Sequence, residues 1–286
     1  MKNFIIRTIT GAIFVSLVIG SIFWEKLAFN SLLLVFGLLA MKEYCYIANN
    51  LPNVRLNWIF ACIGVLLIFI PLMLLPYLFE EFRFLFCSLT LPFSIICIIG
   101  IAVAELFTFK ENNSLHNIAY YVFGLIFILT SFFSLSIINN NNSSFSTYSI
   151  PTSILLFACI WVNDTGAYLF GTAFGKHKMA PNISPKKSWE GFVGGIFLVT
   201  LITTLLWKFN FLEIQYIFYA IITSLVATLG DLLESVFKRR AGVKDSGKLL
   251  PGHGGILDRL DSVLFAAPVM SLVGIFVEYI YLNQNI

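Results

Sequence analysis

Charge is scarce in this chain. Only 12% of its 286 residues are Asp, Glu, Lys or Arg, while 58% are hydrophobic and the mean hydropathy is +0.88. Soluble domains carry about 25% charged residues, so a water-soluble globule is excluded and most of the surface must meet lipid. Aspartate is unevenly placed as well: Asp164, Asp231, Asp245, Asp258 and Asp261 are all there is, and the first half has none. Cys45, Cys62, Cys87, Cys97 and Cys159 lie in apolar runs without CxxC spacing, which argues against a disulfide framework or a zinc site. Nucleotide signatures are missing too. GTAFGKH, starting at Gly171, has one residue too few between its glycines for a Walker A loop and no Ser or Thr after the lysine. No GxGxxG, HExxH or serine-triad elbow occurs, so any nucleotide must be held by metal, cations and loop backbone.

Long apolar runs are what the chain has instead. A helix needs about 20 residues to cross a ~30 Å hydrocarbon core, and runs near that length fall at 8–24, 28–47, 58–79, 84–107, 117–138, 151–173, 192–207, 212–232 and 262–282. The alternating pattern of a membrane barrel is absent, leaving helices as the way to satisfy backbone groups in lipid. The expected fold is an all-α polytopic membrane protein of about nine transmembrane helices. MKNFIIR followed by an apolar run also resembles a signal peptide, but no persuasive small-residue cleavage site follows Gly20, and a first membrane helix is expected. With a cytoplasmic N-terminus, fifteen cations fall inside and only Lys26, Arg83 and Lys208 outside, in line with the positive-inside tendency. An odd span count then puts the C-terminus outside, and the low-complexity loop from Asn139, NNNNSSFSTYS, belongs with the outer loops. Residues 1–150 are expected to form a five-helix scaffold. Residues 151–286 are expected to form the catalytic part, with cytoplasmic loops 174–191 and 233–261.

Three polar clusters stand out in that second part. Ser235 to Asp261 packs six cations, three carboxylates, one His and five glycines into twenty-seven residues. If the eighth helix continues through Arg239, Asp231, Ser235 and Lys238 share a face, and Asp258 and Asp261 share one at the start of the ninth. Between them, Gly242, Gly247, Gly252, Gly254 and Gly255 permit close backbone approach to an anion. Mg²⁺ takes only one or two protein carboxylates and leaves the rest to water and phosphate, so Asp231 and Asp258 would suffice as metal ligands. Cations alone could merely fix topology and touch anionic headgroups at ~1 kcal/mol each; carboxylates and a His-Gly-Gly run placed among them exceed that role. The second cluster is Asn163, Asp164 and Thr165 within the sixth span, where an acid is costly and faces a cavity or partner, or else caps or pairs helices. In the third, SPKKSWEG at 184–191, Ser184, Pro185 and Ser188 resemble helix-start signals. They would set Lys186 and Lys187 beside a positive helix end suited to phosphate. His116 and His177 look like loop residues, and for His253 a structural hydrogen bond competes with catalysis.

These motifs resemble the signature of phosphatidate cytidylyltransferases, also called CDP-diacylglycerol synthases. Its fixed positions match Ser235, Lys238, Arg239, Lys244, Asp245, Gly247, Pro251, His253, Gly254, Gly255, Asp258, Arg259 and Asp261, with no departure, and NDTGAY at 163–168 and PKKSWEG at 185–191 look like the family's upstream motifs. The resemblance covers roughly residues 160–265. It implies transfer of CMP from CTP to phosphatidate with Mg²⁺ required, at an active site whose loops are cytoplasmic, in a bacterial-type inner membrane. Asp231 and Asp258 would be the metal ligands, and Lys238, Arg239, Lys244 and Arg259 the phosphate neutralisers, with Asp245, His253 and Asp261 in the same catalytic set. Lys186, Lys187, Ser188, Ser235, Gly254, Gly255 and Asp164 would line the nucleotide. The implied partners are CTP, phosphatidate and membrane lipid, not nucleic acid, with a homodimer as one open state. A transporter relaying protons through Asp164 would show repeat symmetry and midplane polar groups. An alcohol phosphotransferase would carry a DGxxAR-type motif, which is absent, and a non-catalytic lipid scaffold would tolerate loss of its carboxylates.

Overall fold

The computed structural model describes residues 2–71, 114–140, 151–252 and 254–284, together with Ile96, Ile99, Gly100 and Val103. Eight helices form among the described residues: α1 Lys2–Trp24, α2 Lys26–Ala48, α3 Trp58–Phe69, α4 Ser114–Asn140, α5 Thr152–Phe174, α6 Trp189–Lys208, α7 Gln215–Arg240 and α8 Leu257–Gln284. Six of them, α1, α2 and α4 to α7, are long and apolar enough to cross a membrane. The protein is therefore an integral membrane helical protein, as the composition requires. The third expected span beyond residue 71, the fourth apart from Ile96, Ile99, Gly100 and Val103, the loop at 141–150, Cys87, Cys97 and His253 lie outside the described residues. One element was not expected: β1 Lys178–Ala180 and β2 Ser184–Ser188 pair antiparallel, Lys178 opposite Ser188 and Ala180 opposite Ser184. Ser184 and Pro185 thus lie in a strand, and only Ser188 acts as a helix start.

Two compact units divide the chain, one of residues 1–136 with 237–260, the other of residues 137–236 with 261–286. In the first, Phe14 of α1 stacks on Phe36 of α2 at 5.6 Å between ring centroids. Tyr44 of α2 is a second fastener. Its hydroxyl donates to the Tyr120 carbonyl at 2.9 Å, its ring stacks on Phe237 at 5.5 Å, and the ring lies so close to Gly124 of α4 that any side chain there would displace it. The far side of α1 stays apolar and exposed at Ile9, Ile13 and Leu17, the pattern of a helix facing lipid. Cys45, buried, and Cys62, half-buried, are free thiols in this unit.

In the second unit α5 and α6 pack through small residues, the arrangement that lets membrane helices approach closely. A Cβ on Gly166 would lie 3.0 Å from the Gly195 Cα, and one on Gly195 would lie 2.6 Å from Asn163 Oδ1. Between these helices the β1–β2 hairpin turns the chain. His177, next to the hairpin, donates its backbone N–H to Glu190 at 3.2 Å, and its Nδ1 lies 2.6 Å from Glu190 Oε1. The outer stripe of α6, Val193, Phe197, Leu201 and Leu205, is exposed at four-residue spacing. Gly230 of α7 is needed for Phe265 of α8, since a Cβ there would come 2.6 Å from the Phe265 Cβ.

Candidate active site

The polar segment at 237–260 is built around two carboxylates. α7 runs to Arg240, eight residues beyond the end of the span expected at 212–232, and Gly242 stops it at φ +69, a left-handed conformation glycine adopts freely. Arg239 is turned back onto this end, where its guanidinium donates to the Val243 carbonyl at 3.2 Å. Lys238 points to Asp258, in the first turn of α8: Nζ lies 2.7 Å from Oδ1, and the two side chains are only 10% and 8% exposed. The other oxygen, Oδ2, accepts from the Ser246 N–H at 2.8 Å and the Gly255 N–H at 2.9 Å. Gly254, at φ +84, leaves no room for a side chain, because a Cβ would fall 2.5 Å from Asp258 Oδ2. Burial by itself pushes the Asp258 carboxyl up; the Gly255 N–H, the Lys238 ammonium and the Ser246 N–H outweigh it and hold the carboxyl below its ordinary range.

The second carboxylate is Glu43 of α2, which sequence reasoning missed. It is buried, and accepts from Ser246 Oγ at 2.9 Å, the Ile256 N–H at 3.1 Å and the Leu257 N–H at 2.8 Å. Ser246, itself fully buried, links the two acids, since its Oγ also accepts from the Asp258 N–H at 3.3 Å. Two of the segment's glycines answer to Glu43: a Cβ on Gly247 would lie 2.6 Å from Oε1, and one on Gly255 would collide with Oε2. The backbone approach expected for an external anion is here made by protein carboxylates. A signal existed, since Glu43 is an acid inside an expected apolar span, and ionisable groups there mark function or structure.

Lys244, Asp245 and Arg259 are exposed and, with Arg7 of α1 and Lys248, line a cavity of about 650 Å³.

In the second unit a smaller cavity, about 240 Å³, is lined by Asp164 of α5, Lys186, Lys187 and Ser188 of β2, and Thr228 and Asp231 of α7. Lys187 pairs with Asp231, Nζ to Oδ2 at 2.6 Å, both partly exposed. The other Asp231 oxygen accepts from Ser235 Oγ at 3.4 Å, so the expected shared face of α7 exists, although the cation on Asp231 is Lys187 and Lys238 serves Asp258 instead. Ser188 is buried and caps α6, accepting from the Gly191 N–H at 3.2 Å. Asn163 donates to Thr228 Oγ1 at 3.3 Å. Asp261 accepts from the Ser262 N–H at 2.6 Å. Among the described residues no group of three His, Cys, Asp or Glu is gathered so as to hold a metal.

The comparisons with known proteins agree on one family. The sequence model of the Cytidylyltransferase family matches residues 5–277. Proteins named phosphatidate cytidylyltransferase from Staphylococcus saprophyticus and Staphylococcus aureus are 49% identical over 123 residues and 51% over 120. The first alignment covers 42% of this chain and 47% of the relative, the second 41% and 46%. A relative of the same name from Staphylococcus haemolyticus is 48% identical over 120 residues. The aligned stretch thus spans about half the length of these curated relatives. Because the family match runs nearly the full length of the sequence, the chain belongs to the cytidylyltransferase family.

Proposed function

We propose that this membrane protein transfers CMP from CTP to phosphatidate, forming CDP-diacylglycerol and pyrophosphate for phospholipid biosynthesis. Two carboxylates each salt-bridged to a lysine, Lys187–Asp231 and Lys238–Asp258, carry the reading, supported by the family and by the printed name of its relatives. In each pair an ammonium stands 2.6 to 2.7 Å from a carboxylate oxygen. That is where a cation is favoured. Mg²⁺ needs only one or two protein carboxylates; Asp231, beside the smaller cavity, fits it as a single ligand with water and phosphate oxygens completing the coordination, whereas Asp258, both of its oxygens taken by Lys238 and the Ser246 and Gly255 N–H groups, does not. Bound at Asp231, Mg²⁺ would neutralise charge developing on the transferred phosphoryl group.

The chain's own residues do the rest. A phosphate oxygen of phosphatidate attacks the CTP α-phosphorus, a new P–O bond forms, and the bond from that phosphorus to the β-phosphate bridging oxygen breaks, releasing pyrophosphate. The attacking oxygen is already an anion, so no Ser or Cys nucleophile is needed, and positioning with charge neutralisation dominates such transfers. Lys186 and Lys187 would meet phosphate oxygens beside Asp231 and Asp164, while Lys244 and Arg259 would do so on the exposed side of the 244–259 segment. Ser188 and Ser235 position Lys187 and Asp231, and Gly254 and Gly255 set the Asp258 carboxylate. Asp245, His253 and Asp261 join them in the catalytic set, and Lys238 and Arg239 fix the end of α7. The loops at 174–191 and 233–261 would face the cytoplasm of a bacterial inner membrane, where CTP is available.

Incubating the purified protein with phosphatidate and CTP labelled at either the α- or the γ-phosphorus tests the reaction class. Lipid-extractable label from the α-position, with γ-label released as pyrophosphate, is expected. Label from the γ-position in lipid would mean a kinase-type transfer and would overturn the proposal.

A further inference from the structure

The 650 Å³ cavity of the first unit is lined by four cations, Arg7, Lys244, Lys248 and Arg259, against one acid, Asp245. Arg7, Lys244 and Lys248 have no carboxylate within ion-pair distance among the described residues. Like charges gathered at one concavity repel one another and raise the local potential for an anion. Arg7 comes from α1, far from the signature in sequence, yet it is fitted to the loop. Gly252 sits at φ +76, and a Cβ there would come 2.9 Å from the Arg7 Cγ, so the arginine stem lies across bare glycine backbone. The Thr10 hydroxyl, on the next turn of α1, lies 3.4 Å from the Pro251 carbonyl oxygen. From this point α1 continues as an apolar helix with Ile9, Ile13 and Leu17 exposed, so the guanidinium stands where a lipid-facing helix ends and the cationic cavity begins.

We infer that this cavity seats the phosphate of a lipid phosphomonoester and that Arg7 contacts it directly. A guanidinium offers a planar pair of donors that suits phosphate oxygens, and a phosphomonoester, with close to two negative charges at neutral pH, matches a cavity of four cations and one acid better than a diester does. The inference deepens the proposed function and rests on it for the name of the lipid: phosphatidate would be held from the α1 side, by a residue that the signature does not include. Phosphate on CTP shares this chemistry, and the exposed α1 face decides for the lipid.

The test is calorimetric binding of dioctanoyl phosphatidate and, separately, of CTP to the full chain in detergent, for wild type, Arg7→Ala and Arg7→Lys, with unfolding temperatures recorded for each. Arg7→Ala is expected to weaken phosphatidate binding by about tenfold, the scale of one charge-assisted hydrogen bond, with CTP binding and unfolding temperature unchanged and partial recovery in Arg7→Lys. Phosphatidate binding that is absent in wild type or equal in all three proteins overturns the inference, as does a loss confined to CTP, which would make the cavity a nucleotide site. Binding is read without turnover, so Arg7-dependent phosphatidate binding in a protein that forms no CDP-diacylglycerol would refute the reaction and leave the cavity's assignment standing.

Discussion

At the scale of single residues, the acids divide by burial. Asp258 and Glu43 are enclosed and fully engaged by donors, whereas Asp231 borders a cavity with one lysine and one serine on it. Asp258→Asn would leave the Lys238 ammonium buried without a counter-charge, a change that costs about 3–5 kcal/mol. Adding Lys238→Met should recover most of the unfolding temperature without recovering activity; a double variant no more stable than the single one would contradict the pairing. The pH dependence follows from the same geometry. The Asp258 carboxyl lies below its ordinary range when folded, so its contribution is complete above the unfolded value of about 3.9 and is lost as pH falls through the folded value. Unfolding temperature should therefore drop on acidification below that range in wild type, and drop less in the double variant. For Glu43, Glu43→Ala leaves three buried donors without an acceptor, at about 1–3 kcal/mol for each unsatisfied group. Glu43→Gln, which keeps one acceptor oxygen, should retain more; equal stability of wild type and Glu43→Ala would refute the anchoring role. Only its place in an apolar span marked Glu43; its partners were not readable, because the Ser246 hydroxyl and two backbone N–H groups lie more than two hundred positions away, and sequence spacing carries no information about them.

At the scale of elements, the lengths of α1, α2 and α4 to α7 were legible because lipid enforces a minimum apolar length. Their ends were less so. α7 carries helix through Lys238 and Arg239 into the expected loop, since these residues are good helix formers and Lys238 finds a buried carboxylate. The hairpin β1–β2 was illegible: with three and five residues it has too little pattern to announce a strand, and SPKK reads equally as a helix entry. The N-cap survived this misreading because Ser188 accepts locally from Gly191. Ser188→Ala should cost about 1 kcal/mol, a small fall in unfolding temperature that Ser188→Asp should reverse. The α5–α6 contact is more exacting. Gly195→Ala would place a methyl 2.6 Å from Asn163 Oδ1 and should abolish or sharply reduce folded yield, measured by monodisperse recovery in detergent; normal recovery would mean that these helices separate easily.

At the scale of the whole molecule, a low charge content forced a membrane protein, and the crowding of polar groups into 160–265 pointed to chemistry in the same half. The sequence could not show that 237–260 belongs to a compact unit with the N-terminal helices, nor that Arg7 would line the cavity beside Lys244 and Arg259, because such contacts join distant parts of the chain. Orientation is testable by single cysteines introduced at Lys178 and Leu249 after the native cysteines are replaced by serine. Both should react with an impermeant maleimide only in inverted vesicles, and labelling from the outside of intact cells would reverse the topology. The central claim is metal-assisted cytidylyl transfer onto phosphatidate, and CDP-diacylglycerol formation by wild type and Asp231→Asn, each with Mg²⁺ and with EDTA, tests it most directly. The account predicts Mg²⁺-dependent product in wild type and a loss of roughly a hundredfold or more in the variant, with its unfolding temperature unchanged. Full turnover by Asp231→Asn, or product formation undiminished by EDTA, would contradict it.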